Sequence, residues 1–233
     1  MNRLPTLVVF CRRPALGRGK RRLAGVLGEA DAFKIANALL ECTLEDANSW
    51  DGALVISPAG AEDHDWAASL VAPPARVQPQ PQGNLGERLN AVDAAVRNCG
   101  DERLVFIGAD APSLAVTDLL AAAAILDRAD VVLGPAADGG VTLMGSRVPW
   151  PDLAGLPWST PALGTALELH CAKCGLTVGQ TSCSYDIDEA SDLAAACRAL
   201  GADERPARRR LHRLLTAAVE RHALAGASAD VRA

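Results

Sequence analysis

The chain has 233 residues, 49% of them hydrophobic and 22% charged, with a formal net charge of −5. That length suits one large domain with a full core, and the acidic balance argues against nucleic acid, whose binding usually demands a basic domain. The longest apolar run, Leu119 to Leu126, covers eight residues, well short of the ~18–20 that a membrane span needs.

Only three of the 23 basic residues are lysine (Lys20, Lys34 and Lys173). An arginine therefore says little by itself, and a lysine inside a short motif says more. The seven scattered cysteines read as reduced, packed thiols. His170-Cys171-Ala172-Lys173-Cys174 approaches a metal spacing but has no second CxxC pair, so packing is the simpler reading. Leu4 to Cys11 is as apolar as a signal core, yet it runs into Arg12-Arg13-Pro14 with no small-residue cleavage site. This predicts a cytoplasmic protein.

Short apolar runs alternate with helical periodicity, the pattern of a parallel α/β protein. Leu7–Cys11 reads as a buried strand, followed by a basic loop and helix from Lys20 to Asn48, with Gly28 as a break. Ala53–Ser57 is a strand closed by Pro58. A helix over 63–70 leads to a strand at 76–78, and Pro79–Gln82 is extended because each proline restrains itself and its predecessor. A helix spans 86–98, Leu104–Gly108 is the clearest central strand, and a helix covers 116–126. Strands follow at 131–133 and 141–144, then a helix over 160–174, a strand at 176–178 and a helix over 188–200. The last helix, 204–224, carries Leu211, Leu214, Leu215, Ala218 and Val219 on one face, with Arg208-Arg209-Arg210 as a solvated run. The organisation expected is one transferase domain over 1–203, a C-terminal helix over 204–225 packed on it, and a disordered tail over 226–233.

Open α/β sheets place ligands at the carboxyl ends of their strands, and the loops there hold the unusual residues. Arg12 to Leu23 combines Gly17 and Gly19 with six basic side chains and a helix N-terminus, which suits a polyphosphate. A solvated basic loop is the plain alternative, against which Lys20 stands at the loop–helix junction. Asp110 follows the central strand and could cap a helix or bind Mg²⁺, which usually takes one or two carboxylates plus phosphates and waters. Asp188 offers the second carboxylate, although it reads equally as an N-cap. Asp138-Gly139-Gly140 is either a hairpin turn or a close approach to substrate. Gln82-Gly83-Asn84-Leu85-Gly86-Glu87-Arg88 suits recognition of a base or acceptor, or a hinge.

The order of these elements (KxRL, QGxLGxR, GxDAPS, GPxxDGG, WS, DIDxxxDL) resembles one family of bacterial glycosyltransferase-like transferases with the glycosyltransferase-A fold. The family is known as domain of unknown function 2064, or selenodomain-associated transferase 1, and is related to 2-phospholactate guanylyltransferases and molybdenum-cofactor nucleotidyltransferases. Lys20, Arg22 and Leu23 match its phosphate-loop KTRL, Gly86-Glu87-Arg88 its LGER, and Asp110 its post-strand aspartate. Asp138-Gly139-Gly140 matches DGG, Trp158-Ser159-Thr160 matches WST, and Asp186 to Leu193 matches DIDTxEDL. Arg21 replaces the usual Thr and Val141 the usual Tyr, so the identity of the acceptor does not carry over.

The resemblance implies a three-layer α/β fold with a mixed, mainly parallel sheet of the nucleotide-diphospho-sugar transferase type. It implies Mg²⁺ (or Mn²⁺) held by Asp110 and Asp188, and catalysis by Lys20, Arg22 and Asp110. A nucleotide is expected on Arg12, Gly17, Arg18, Lys20, Arg22, Gln82, Gly83, Gly86 and Arg88, and a small-molecule acceptor on Asp138, Gly139, Gly140, Trp158 and Ser159. The reaction expected is nucleotidyl transfer from an NTP to a phosphorylated acceptor with release of pyrophosphate. An ionised phosphate needs no general base, and none of the four histidines lies in these loops. Glycosyl transfer from a nucleotide-sugar, with Asp138 as base, is the alternative. A non-catalytic nucleotide-binding protein would be favoured if Asp110 and Asp188 lay too far apart to share a cation.

Overall fold

The structure, a computed structural model, describes residues 3–230, with side chains through Arg221. Strands β1 (Thr6–Cys11), β2 (Leu54–Pro58), β3 (Arg76–Val77), β4 (Leu104–Ile107), β5 (Val131–Pro135), β6 (Val141–Ser146) and β7 (Val178–Gln180) form one sheet. Their order is β3-β2-β1-β4-β6-β5-β7. All neighbours are parallel except β6, which runs antiparallel to both β4 and β5. The helices are α1 (Arg21–Leu27), α2 (Glu29–Asn48), α3 (His64–Ala68), α4 (Leu85–Asn98), α5 (Val116–Leu126), α6 (Leu163–Lys173), α7 (Ala190–Leu200) and α8 (Pro206–Asp230).

The period-2 alternation of β1 sorts the layers. Leu7, Val9 and Cys11 face Leu40 and Ala47 of α2, Ala67 of α3, and Leu119, Ala122 and Leu126 of α5. Val8 turns the other way, into a core with Leu89, Val92 and Val96 of α4 and Leu167 and Cys171 of α6. Helix α2 is two-sided: Ala32, Ile35, Leu39 and Cys42 form a third core with Leu23 of α1, Leu193 and Ala196 of α7, and Leu211, Leu215 and Ala218 of α8. Each fully buried leucine there contributes roughly 1.5–3 kcal/mol. Among the described residues no helix is long and apolar enough to cross a membrane.

Gly28, at φ 84, breaks α1 from α2 as the pattern predicts. Four other details differ from the expectation. Strand β7 starts at Val178 rather than Leu176, because Gly175 (φ 78) and Leu176 are used to end α6. Gly175 N–H donates to Ala172 O at 3.0 Å and Leu176 N–H to Cys171 O at 3.1 Å, the paired bonds of a Schellman stop. Helix α6 starts at Leu163 rather than residue 160. Helix α8 continues past the expected end at 225 to Asp230; of the expected tail, residues 231–233 lie outside the described residues.

The fourth difference is Arg208, which is buried rather than solvated. It precedes Leu211 and Leu215 by three and seven positions and so shares their inward face. Its guanidinium donates to Cys42 O, to Glu45 at 3.0 Å, to Asp46, to Pro112 O at 3.4 Å and to Leu114 O at 2.9 Å. One side chain thus ties α8 to α2 and to the loop after β4.

Candidate active site

Strands β1, β4, β5 and β7 point the same way, so the loops that follow them emerge on one edge of the sheet. The segment after β7 then crosses this edge like a strap. Thr181 N–H donates to Leu133 O, Ser184 N–H to Pro135 O at 2.9 Å, and Ala137 N–H to Ser184 O at 3.0 Å. Farther along, the Ser113 hydroxyl donates to Tyr185 O at 2.7 Å and accepts from Tyr185 N–H at 3.0 Å. Ile187, fully buried, donates its N–H to Asp110 O at 3.1 Å. Backbone satisfaction thereby carries the chain from the end of β5 to the end of β4 and sets Asp186 and Asp188 beside Asp110.

Asp188 is not the helix cap that its position suggested. Helix α7 begins at Ala190, and the Asp192 carboxylate accepts the N–H groups of Asp188 (2.9 Å) and Glu189 (2.7 Å). With Asp192 at the helix start, the Asp188 carboxylate is left for other work. Lys20 takes it: Nζ donates to Asp188 Oδ1 at 2.5 Å, to Ile187 O at 2.6 Å and to Asp110 Oδ2 at 3.4 Å. Burial works against the Lys20 ammonium, yet Asp110 and Asp188 outweigh it and hold its pKa above the ordinary lysine value. The residue is the N-cap of α1 with φ 42, a left-handed conformation that a non-glycine residue adopts only when its surroundings hold it there.

Asp186 is the residue that sequence reasoning passed over. Burial, then the charges of Asp188, Asp110 and Asp138, raise its pKa to about 6. Its signal was present in Asp186-Ile187-Asp188: the buried isoleucine between them turns both carboxylates away from the core. Among the described residues no three His, Cys, Asp or Glu side chains form a metal cluster, His170, Cys171 and Cys174 included. Asp110 and Asp188 nevertheless converge on one cation with Ile187 O, an all-oxygen donor set that fits Mg²⁺ or Mn²⁺ completed by phosphates and waters.

Beside this cluster the basic loop stands open. Gly17 and Gly19, both at φ 72, form its turn. Arg12, Arg18 and Arg21 are exposed, and their side chains have no hydrogen-bond or ion-pair partner among the described residues. Arg13 approaches Asp63 at 3.8 Å, and Arg22 pairs with Glu189 at 2.6 Å on the surface. Desolvation and then the nearby Arg12 charge lower the pKa of Arg88. The two guanidiniums are thus near enough to repel, and among the described residues the Arg88 side chain is held by neutral acceptors, Gln80 Oε1 at 2.9 Å and Asn84 O at 3.3 Å. Buried Gln80, absent from the sequence-predicted set, donates in turn to Ser57 O at 2.7 Å. Gln82 and Gly83 are exposed next to it.

Most of the remaining expected residues also make close contacts within the fold. A Cβ on Gly86 would meet Leu153 O at 2.2 Å and Trp158 Nε1 at 2.7 Å. Trp158 is half-buried and donates to Leu153 O at 2.9 Å, so Gly86 and Trp158 lock α4 to the segment before α6. Asp138 Oδ1 accepts from Gly140 N–H at 2.9 Å in the β5–β6 hairpin. Gly139 (φ 89) lies so close to Pro161 O that a Cβ would come within 2.2 Å. Ser159, exposed at φ 62, is at the same rim.

This architecture is the nucleotide-diphospho-sugar transferase fold. A proposed nucleotide-diphospho-sugar transferase from Desulfovibrio desulfuricans G20 superposes with a TM-score of 0.85 at 22% identity, over 95% of this chain and 99% of that one. A cytidylyltransferase from Leptospira borgpetersenii serovar Hardjo-bovis gives 0.56 at 12% identity, over 92% and 94% of the two chains. The family described as uncharacterized protein conserved in bacteria (DUF2064) matches residues 39–160, and the chain belongs to it. No curated protein sequence matches the chain.

Proposed function

We propose that this protein is an enzyme of the nucleotidyl- or glycosyl-transfer class, and specifically a divalent-metal-dependent nucleotidyltransferase. The observation that carries this reading is the convergence of Asp110 and Asp188, from two separate loops, on a single cation position beside a basic loop with unpaired arginines. In the reaction, an oxygen of a phosphorylated small-molecule acceptor attacks the α-phosphorus of an NTP. The bond from that phosphorus to the β-phosphate oxygen breaks, and pyrophosphate leaves with the electron pair.

Asp110 and Asp188 would hold Mg²⁺ or Mn²⁺, which when bound supplies charge neutralisation at the reacting phosphates. Arg12 and Arg18 bind the phosphates, Lys20 and Arg22 reach them from their present acidic partners, and Arg88 with Gln82 and Gly83 lines the nucleoside side. The rim of Asp138, Gly139, Gly140, Trp158 and Ser159 takes the acceptor. An ionised acceptor oxygen needs no proton removed, so positioning and electrostatics carry the rate. An NTP of about −4 suits the unpaired arginines better than a nucleotide-sugar of about −2, whose charge would leave cations uncompensated.

Calorimetry with each NTP and its matching nucleotide-sugar, in Mg²⁺, tests this. The NTP should bind more tightly, and the preference should shrink in Arg12→Ala/Arg18→Ala. Product analysis with phosphorylated acceptors should show pyrophosphate. Preferred nucleotide-sugar binding with NDP as product would establish glycosyl transfer instead.

A further inference from the structure

The Lys20 ammonium occupies the position that the reading above gives to a divalent ion. All three of its N–H donors are satisfied by Asp188, Ile187 and Asp110, and its side chain is only 13% exposed. The two carboxylates, by contrast, are open to solvent at 43% and 51%. An incoming cation has access to the carboxylates and finds their inward oxygens taken. The ammonium and a divalent ion would compete for the same oxygens and repel one another across a short distance.

The local chain is built to let the ammonium go. A four-carbon stem reaches from a residue preceded by Gly19, where nothing lies within 4 Å of a Cβ position. The flanking loop carries Arg18 and Arg21, whose side chains have no partner among the described residues, and the Glu29 carboxylate lies beside Gly17, so a lysine swung toward it enters a mainly basic loop. Arriving phosphates offer it stronger acceptors there. We infer that Lys20 is a resident placeholder cation, which must leave before a divalent ion binds, so that metal and NTP enter together and the phosphates receive the displaced ammonium. This inference rests on the assignment of Asp110 and Asp188 as the metal ligands.

The test is Mn²⁺ binding by electron paramagnetic resonance, with no nucleotide present, to the wild type and to Lys20→Met. The variant should bind Mn²⁺ alone about tenfold more tightly or better, because the competent state no longer has to be vacated first. Adding Asp110→Asn to Lys20→Met should abolish the gain. Equal or weaker Mn²⁺ binding by a folded Lys20→Met would overturn the inference.

A second measurement uses the wild type, in case the variant does not fold. The chain's three lysines allow 13Cε-lysine labelling with one signal each, and Lys34→Arg and Lys173→Arg assign the other two. The Lys20 signal should hold its position in millimolar Mg²⁺ and move when an NTP is added with Mg²⁺. A stationary signal at saturating Mg²⁺ and NTP would also overturn the inference. The underlying assignment fails separately, if Asp110→Asn and Asp188→Asn leave Mg²⁺-dependent NTP binding unchanged.

Discussion

Arg208 shows how much one side chain can decide. Among the described residues it is the largest fully buried side chain, and its partners Glu45 and Asp46 lie on α2 while Pro112 O and Leu114 O lie just beyond Asp110. Arg208→Met would leave Glu45 and Asp46 close together in a partly buried site, with Arg205, 3.1 Å from Asp46, as the cation still beside them. Breaking a buried pair from one side costs about 3–5 kcal/mol, so urea unfolding should report a loss of that order. A loss under about 1 kcal/mol, the scale of an exposed pair, would mean that the guanidinium is not buried as described. Gly86 makes an independent case. Its α-carbon is overlain by Leu153 O, and backbone cannot yield as a flexible side chain can. Gly86→Ala should destabilise by roughly 1–3 kcal/mol, as overpacking does, and should displace Trp158, which tryptophan fluorescence can follow. Unaltered fluorescence and stability would return Gly86 to a direct role toward ligand. Such roles were half-legible in the sequence. The 3.6 period put Arg208 on the leucine face, but the count of neighbouring arginines masked it, and no local pattern could reveal what lies across from Gly86.

Edge strand β7 is short and takes much of its anchoring from one carboxylate. Asp130 accepts from Thr177 N–H at 2.9 Å and from the Thr177 hydroxyl at 2.6 Å, and pairs with Arg147 at 2.9 Å. The Thr177 hydroxyl, then its N–H, then Arg147 lower the Asp130 pKa from the ordinary 3.8 to about 2. A carboxylate held lower in the folded state stabilises fully above its unfolded value, and that contribution fades as pH falls through its folded value. The wild type should therefore unfold at a higher temperature than Asp130→Asn above about pH 5, and the gap should close as pH approaches 2. A gap that persists at pH 2 would trace the stabilisation to shape rather than charge. The elements themselves were largely readable from periodicity, β1, β4 and α5 above all, since each carries an unambiguous apolar pattern. The ends were not. The expected start of β7 was two residues early because the Schellman stop of α6 depends on Gly175 taking φ 78, and glycine composition does not announce which turn it will make. Asp188 likewise read as a cap, but the N-cap falls one residue on at Glu189, and Asp192 reaches backward to accept the N–H groups of both.

At the scale of the whole molecule, the site exists because long-range contacts assemble it, and this was the part least visible in the chain. Motif order suggested that Asp110 and Asp188 meet. It carried no hint that Lys20 stands between them, since that depends on the strap from Thr181 to Ile187 crossing two strand ends. The same edge is braced from behind by α8, which buries Leu211, Leu215 and Ala218 against α2 and α7 and sends Arg208 to the carbonyls after Asp110. Removing residues 204–233 would expose the apolar faces of α2 and α7. Two leucines at roughly 1.5–3 kcal/mol each, with about 3–5 kcal/mol for the stranded Glu45 and Asp46, approach the ~5–15 kcal/mol that separates folded from unfolded in a domain. The 1–203 chain should therefore lose its cooperative urea transition. Under conditions that keep it folded, it should bind Mg²⁺ with NTP more weakly than the full chain, because the loop bearing Asp110 has lost its rear support. Circular dichroism through a urea titration and calorimetry read the two effects separately. A truncated chain that unfolds cooperatively near the wild-type midpoint would mark α8 as an appendage, and intact Mg²⁺–NTP binding in it would show that the strap alone positions Asp110 and Asp188.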